Sequence, residues 1–227
     1  YAEFEQQLPG RFFVESIDIP FNFSTINNRA VKKAHGEYLL FLNNDTEVIT
    51  ENWLTLMVSF AQQERIGCVG AKLLYPNNTV QHAGVILGLG GVAGHGHYGY
   101  PHGDLGYFGR LAINVNYSAV TAACLLMKKA DFDAVGGFEE AFTVAFNDVD
   151  LCLKVQALGR DNVWLHEAEL YHFESQTRGY DDKGKKKKRF EQEKVMMEEK
   201  WGPLIENDPF YNPNLTRDIP NFSLRID

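Results

Sequence analysis

The sequence predicts one α/β domain over residues 1–227, built on a mostly parallel sheet flanked by helices. Three observations carry this. Short apolar runs alternate along the chain with segments of helical periodicity. The run Tyr38-Leu39-Leu40-Phe41-Leu42 is continuously apolar, as strands buried on both faces are. No linker or internal repeat divides the chain, and 227 residues suit one large domain.

Taken in order, Phe12 to Ile19 mixes β-branched and aromatic residues with polar ones and reads as a strand. Ser24 is placed to cap a helix carrying Ile26, Ala30 and Ala34, which stops at Gly36. The Tyr38–Leu42 strand runs into the polar stretch Asn43 to Glu47. Thr50 then caps a helix through Trp53, Leu54, Met57, Val58 and Ala61. Ile66 to Leu74 is a strand, Pro76-Asn77-Asn78 a turn, and Val80 to Leu87 a returning strand. Residues 88–110, rich in Gly, His and Tyr, read as a long surface loop. Ser118 to Met127 is a buried strand, followed by a short helix from Lys129 to Val135 that Gly136-Gly137 ends. Asn147 caps a helix over Asp148 to Leu158, closed by Gly159. Val163 to Phe173 supplies one or two strands. The basic run Lys183 to Arg189 leads into a polar helix ending near Trp201, and residues 203–227 form an irregular tail.

Composition excludes several classes. Hydrophobic residues make up 44% and charged residues 23%, which suits a globular protein rather than a disordered one. The net charge of −8 argues against a general nucleic-acid grip, which needs a basic surface. No run of about 18 apolar residues is present to span a membrane. No signal-peptide pattern opens the chain, and Cys68, Cys124 and Cys152 are an odd number at wide spacing. Reduced thiols and a cytoplasmic location are expected.

In open α/β sheets, ligands sit beyond the carboxyl ends of strands. Asp45 and Glu47 follow the Tyr38–Leu42 strand and would be hard oxygen ligands for Mg²⁺ or Mn²⁺, or else a turn and a helix cap. Asp148 and Asp150 open a helix, where the dipole favours acids whatever their role, and Asp148 could equally be a general base. His172 ends a strand, where an imidazole is either structural or a divalent-metal ligand. Arg178, soon after, could grip a diphosphate through its planar donors. Gly94-His95-Gly96-His97-Tyr98-Gly99 matches a dinucleotide fingerprint but lacks the helix that must follow, because Pro101, Gly103 and Gly106 come next. His95, His97 and His102 lie in a Gly-rich stretch with only Asp104 as a nearby acid, so a solvated loop is preferred to a metal site.

Five segments, in order, resemble family 2 of the nucleotide-sugar glycosyltransferases, with the GT-A fold. They are Asn28 to Glu47; Ala119 to Met127; Gly136-Gly137-Phe138-Glu139-Glu140; Asn147-Asp148-Val149-Asp150-Leu151-Cys152-Leu153-Lys154; and Ala168 through His172 to Arg178-Gly179. The tail Asp208-Pro209-Phe210-Tyr211-Asn212-Pro213-Asn214-Leu215 is similar to the ends of bacterial members that build rhamnose-containing or O-antigen-like polysaccharides. The resemblance covers the chain from about residue 12. It starts at the equivalent of the family's third strand, so the expected fold is a GT-A domain truncated at its N-terminal edge.

This resemblance implies inverting transfer of a sugar from a nucleotide-sugar donor to a glycan or lipid-linked acceptor, with Mn²⁺ or Mg²⁺ as cofactor. Asp45 matches the last acid of the family's metal-binding Asp-x-Asp motif, whose first position is Asn43 here. His172 matches a further metal ligand and Asp148 the catalytic base. Glu139 and Asp150 shape the acceptor pocket, and Arg178 joins Asn43 on the donor side. Independently of the resemblance, the basic run Lys183 to Arg189 reads first as solvated surface; the functional alternative is a segment that closes over the donor diphosphate or meets an anionic lipid-linked acceptor at the inner face of the membrane, a peripheral contact. One alternative is a glycan- or nucleotide-binding module that has lost turnover. Another is a nucleotidyltransferase, which would need a Gly-rich, Arg- and Lys-bearing opening that the chain does not carry.

Overall fold

The computed structural model describes residues 1–173 and 184–226. In chain order its elements are α1 (Ala2–Gln7), α2 (Phe23–Val31), β1 (Tyr38–Leu42), β2 (Thr46–Val48), α3 (Trp53–Ala61), β3 (Ile66–Leu74), β4 (Val80–His82), β5 (Val85–Leu87), β6 (Ala93–His95), a 3₁₀ stretch (Tyr107–Ala112), β7 (Val115–Tyr117), β8 (Cys124–Lys128), α4 (Lys129–Ala134), α5 (Asn147–Ala157), β9 (Asp161–His172) and α6 (Gly184–Glu206). Seven strands form one mixed sheet in the order β1-β8-β3-β9-β2, with β4 on β3 and β7 on β9. Its parallel component among the described strands is the β3–β9 pair; the other pairs run antiparallel. β5 and β6 make a separate hairpin.

β3 is the axis of the core, and all nine of its residues are buried. Its composition, IGCVGAKLL, explains how both faces are covered. At Gly70 a Cβ would lie 2.5 Å from the Val120 side chain, and at Gly67 one would collide with the Val155 side chain of α5. The absent side chains let α5 and the chain before β8 close directly onto the strand. On the other face α3 packs Met57 and Ala61 against Val69, Ala71, Leu73 and Leu126.

Several elements differ from the sequence reading. Phe12 to Ile19 is irregular, with Phe13 66% exposed, because among the described residues no neighbouring strand completes its ladder. α1, with Phe4 and Tyr1 against the Phe12 ring, lies ahead of it. β1 is buried on alternate residues only, since it lies at the end of the sheet order with Leu42 exposed. Asn22, not Ser24, caps α2 by accepting the Thr25 N–H, while Ser24 donates to Phe142 O. Thr50 does not cap α3, whose N-cap is Asn52 with no side-chain cap hydrogen bond; its carbonyl accepts the Trp53 N–H and its hydroxyl is spent on Glu167 O. The expected Val80–Leu87 strand breaks at Gly84, whose φ of +86° and whose contact with the Tyr117 ring only glycine tolerates. The expected 118–127 strand is divided: β7 ends before it and β8 begins at Cys124. Asn147 is the first residue of α5 rather than its cap. Lys185 to Arg189 lie in α6, which runs on past Trp201 to Glu206.

Residues 88–110 are no surface loop throughout. They contain β6, which pairs back on β5, and they bury Leu89, Val92 and His97. The tail is what covers them. Asp208 accepts N–H groups of Leu87 at 2.6 Å and Phe210 at 2.8 Å and the Ser118 hydroxyl at 2.8 Å. Phe222 stacks on the His97 ring at 4.1 Å, while His97 Nε2 accepts the Tyr107 N–H and Nδ1 has no hydrogen-bond partner. Burial, helped by Arg110 and opposed by Asp104, pushes the His97 pKa down to about 4. The unfolded chain therefore takes up this proton first as pH falls. The stability His97 contributes is complete above about pH 6.5 and is lost towards pH 4, by roughly 3 kcal/mol. Urea melts should show this acid-side loss, flattened in His97→Gln.

Candidate active site

Three consecutive residues before β8 gather the candidate side chains through backbone groups. The Asn43 N–H donates to Ala123 O at 2.9 Å, the Ala122 N–H to Asp148 Oδ2 at 3.1 Å, and the Thr121 N–H to His82 Nε2 at 3.4 Å. The end of β1, the start of α5 and the end of β4 are thus fixed to one short stretch.

β2 pairs with β9 so that Thr46 lies opposite His172, and the Phe173 N–H donates to Asp45 O at 2.9 Å. This register brings Asp45 Oδ1 to 3.2 Å from His172 Nε2, close enough for one ion at about 2.0–2.2 Å from each donor to touch both. Gln81, buried on β4, orients the imidazole: its Nε2 donates to His172 O at 3.4 Å and its Oε1 lies 2.7 Å from His172 Nδ1. An amide oxygen only accepts, so Nδ1 carries the hydrogen and the neutral ring has its lone pair at Nε2. Asn43 Nδ2 approaches that same atom at 3.1 Å. An imidazole lone pair and a carboxylate oxygen this close repel unless a proton or cation lies between them. The nitrogen–oxygen donor set and its outer hydrogen bond suit a divalent ion. Among the described residues there is no group of three or more His, Cys, Asp or Glu able to hold a metal. Substrate oxygens and water would have to complete the shell, as is usual for Mg²⁺ in phosphate sites.

Asp148 is half-buried in the first turn of α5. Its Oδ1 accepts the Val149 N–H at 2.8 Å and its Oδ2 the Ala122 N–H, which leaves one lone pair on each oxygen. Glu139 is exposed on the loop ahead of α5 and accepts the Ala141 N–H. Glu47 is exposed one strand position past Thr46, opposite Tyr171. Asp150 requires correction as an acceptor residue. It is fully buried, with Trp201 Nε1 at 2.9 Å, Lys200 Nζ at 2.7 Å and Lys154 Nζ at 3.3 Å, and it pins α5 to α6. Arg178 lies outside the described residues. A groove of about 640 Å³ opens between Ala141, Thr143 and the α6 side chains from Lys188 to Met196; its walls include neither Asp45 nor His172.

Gln81 and His82 were not singled out by sequence reasoning. The available signal was a polar pair inside an otherwise apolar strand, and both are buried. Burial pushes the His82 pKa well below its ordinary value, and neighbouring His95 and His172 add to this. His82 Nδ1 meets His95 Nδ1 at 2.8 Å. The three histidines set aside as metal ligands go to separate partners: His95 to His82, His97 to Phe222, and His102 to Glu169 Oε1 at 2.9 Å beside Lys72.

Two solved structures share this architecture. The mannosyltransferase PcManGT of Pyrobaculum calidifontis, solved with GDP-Man and Mn²⁺, matches 88% of this chain and 49% of its own at 14% identity and a TM-score of 0.58. GalNAc-T7, solved with UDP, GalNAc and Mn²⁺, matches 93% of this chain and 42% of its own at 12% identity and a TM-score of 0.67. The fold is that of the GT-A glycosyltransferases. By sequence, an uncharacterised Sinorhizobium fredii protein, y4gI, is 54% identical over 206 residues, or 90% of this chain. The O-antigen biosynthesis protein RfbC of Myxococcus xanthus is 40% identical over 228 residues, or 99% of this chain. The chain spans only 23% and 17% of the lengths of these two relatives. Among the described residues no helix is long and apolar enough to cross a membrane. With the glycosyl transferase family 2 model matching residues 2–134, more than half its length, the chain belongs to glycosyl transferase family 2.

Proposed function

We propose that the protein transfers a sugar from a nucleotide-sugar donor to a glycan or lipid-linked acceptor, with inversion, in the synthesis of a cell-surface polysaccharide at the inner face of the membrane. The observation that carries this is the Asp45 carboxylate held 3.2 Å from the oriented Nε2 of His172, in a chain of this family. The Myxococcus relative's role in O-antigen biosynthesis supports the product class, and the Mn²⁺ in both solved neighbours supports the cofactor.

Asp45 and His172 would hold Mn²⁺ or Mg²⁺, which when bound neutralises charge building on the departing diphosphate. Arg178 would grip the diphosphate through its planar donors, and Asn43 would join it on the donor side. An acceptor hydroxyl is a poor nucleophile at neutral pH. Asp148 takes its proton as the oxygen bonds to the anomeric carbon. The carbon–oxygen bond to the nucleoside diphosphate breaks on the opposite face, its electron pair leaves with the diphosphate, and the centre inverts. Glu139 borders the acceptor side.

Titrating the protein with UDP, GDP and dTDP, with and without Mn²⁺, should show Mn²⁺-dependent binding of at least one. The matching sugar nucleotide should release that diphosphate faster when acceptor glycan is added. Binding without turnover in the complete natural protein would instead identify a binding module.

A further inference from the structure

We propose that Glu193, on α6, is a positioning residue for Asp148: its carboxylate fills a backbone nest in the segment that launches α5. This rests on Asp148 being the base. Glu193 is 2% exposed. Its Oε1 accepts from Thr143 N at 2.8 Å, Thr143 Oγ1 at 2.6 Å and Val144 N at 3.2 Å, and its Oε2 accepts from Ala145 N at 2.8 Å. Three successive N–H groups converging on one point make an anion-binding concavity. Here the chain's own carboxylate is the anion, delivered from a helix far along the sequence.

The next residue, Phe146, is left-handed at φ 60°, a strained conformation for a bulky side chain, and its carbonyl accepts the Asp150 N–H at 2.8 Å. The Asn147 side chain donates back to Val144 O at 2.9 Å. The nest and the first turn of α5 therefore form one hydrogen-bonded unit, and Asp148 sits inside it. α6 grips the same unit twice more, with Phe190 5.4 Å from the Phe146 ring and Trp201 and Lys200 on Asp150. Of these contacts, the Glu193 carboxylate is the one that fixes the backbone leading into Asp148. A glutamine in its place keeps one acceptor oxygen but turns an amide N–H₂ towards one of the donors. The nest then opens, and Asp148 moves relative to the Ala122 N–H that aims it.

The test is a double-mutant cycle in the complete natural protein, with Mn²⁺ and whichever of UDP-, GDP- and dTDP-sugars it turns over. Glu193→Gln should lower kcat about 10²-fold, the cost of a small misplacement of a reacting group. Affinity for the matching nucleoside diphosphate with Mn²⁺ should stay unchanged. In the Asp148→Asn background Glu193→Gln should cost nothing further, because its effect passes through Asp148. Losses that multiply in the double variant, or a kcat within about twofold of the parent while Asp148→Asn is impaired, overturn the proposal. Normal turnover by Asp148→Asn alone overturns the base assignment and, with it, what Glu193 is said to position. Should Glu193→Gln fail to fold, Thr143→Val removes one donor from the nest. It should lower kcat in the same direction, with Thr143→Ser restoring it; an unchanged kcat in Thr143→Val counts against the proposal.

Discussion

Replacing Asp148 by asparagine should lower kcat about 10²–10⁴-fold, the range expected when a general base is removed. Donor affinity should hardly change, because Asp45, Asn43 and His172 lie on other elements. The substitution is a fair test because an amide can still accept one of the two N–H groups that Asp148 now takes, from Ala122 and Val149. Geometry is largely kept while basicity is lost. If Asp148 only stabilised the helix start, the cost would be about 0.3–1 kcal/mol and turnover would stay normal. Measuring kcat, nucleoside-diphosphate affinity and melting temperature on the same preparation separates the two. A kcat near the parent value would move attention to Glu139, since Asp150 is buried against α6.

The second large effect concerns Asp45 and His172. Asp45→Ala and His172→Ala should each remove Mn²⁺-dependent nucleoside-diphosphate binding by about 100-fold or more, and Gln81→Leu should weaken it about 10–100-fold by freeing the imidazole to rotate or change tautomer. Gln81 bonds the Nδ1 side of His172, away from the ion, so its effect should appear in Mn²⁺ affinity, read by electron paramagnetic resonance of free Mn²⁺, before it appears in turnover. Unchanged Mn²⁺ and nucleotide affinity in Asp45→Ala would sink the assignment.

The strands at the centre were legible because burial on both faces writes itself into composition: Ile66 to Leu74 is where expected. At the margins the same logic failed. Phe12 to Ile19 has strand-forming residues, yet pairing is a non-local event that a local pattern does not contain. α2 to α5 were found to within a few residues, whereas α1 went unread and α6 is longer at both ends; caps shifted too, because Asn22 and Ser24 are both good caps and only the contact of Ser24 with Phe142 O decides between them. The site followed a similar division. Asp45, His172 and Asp148 were singled out by their places at strand ends and a helix start, and family resemblance supplied their expected roles; nothing in their spacing says that strand register brings the first two together. Asp148 and Asp150 look alike in sequence. Two steps along a helix turn them about 200° apart, so one meets the 121–123 stretch and the other meets Trp201. Gln81 and His82 escaped notice because buried polar residues are recognised by their partners, and those partners come from elsewhere in the chain.

The attachment of Asn43, Asp148 and His82 to Ala123, Ala122 and Thr121 uses peptide groups, not side chains, on the receiving stretch. Exchanges at Thr121, and exchanges among small residues at the buried Ala122 and Ala123, would therefore leave the anchor points in place, proline apart, since it lacks the N–H. A change in chain length is another matter. Deleting or inserting a single residue there shifts the phase of every donor and acceptor at once, uncoupling the strand end, α5 and the buried imidazole together. Over evolutionary time this segment should keep its length constant and its residues at 122 and 123 small, while Thr121 is free to drift.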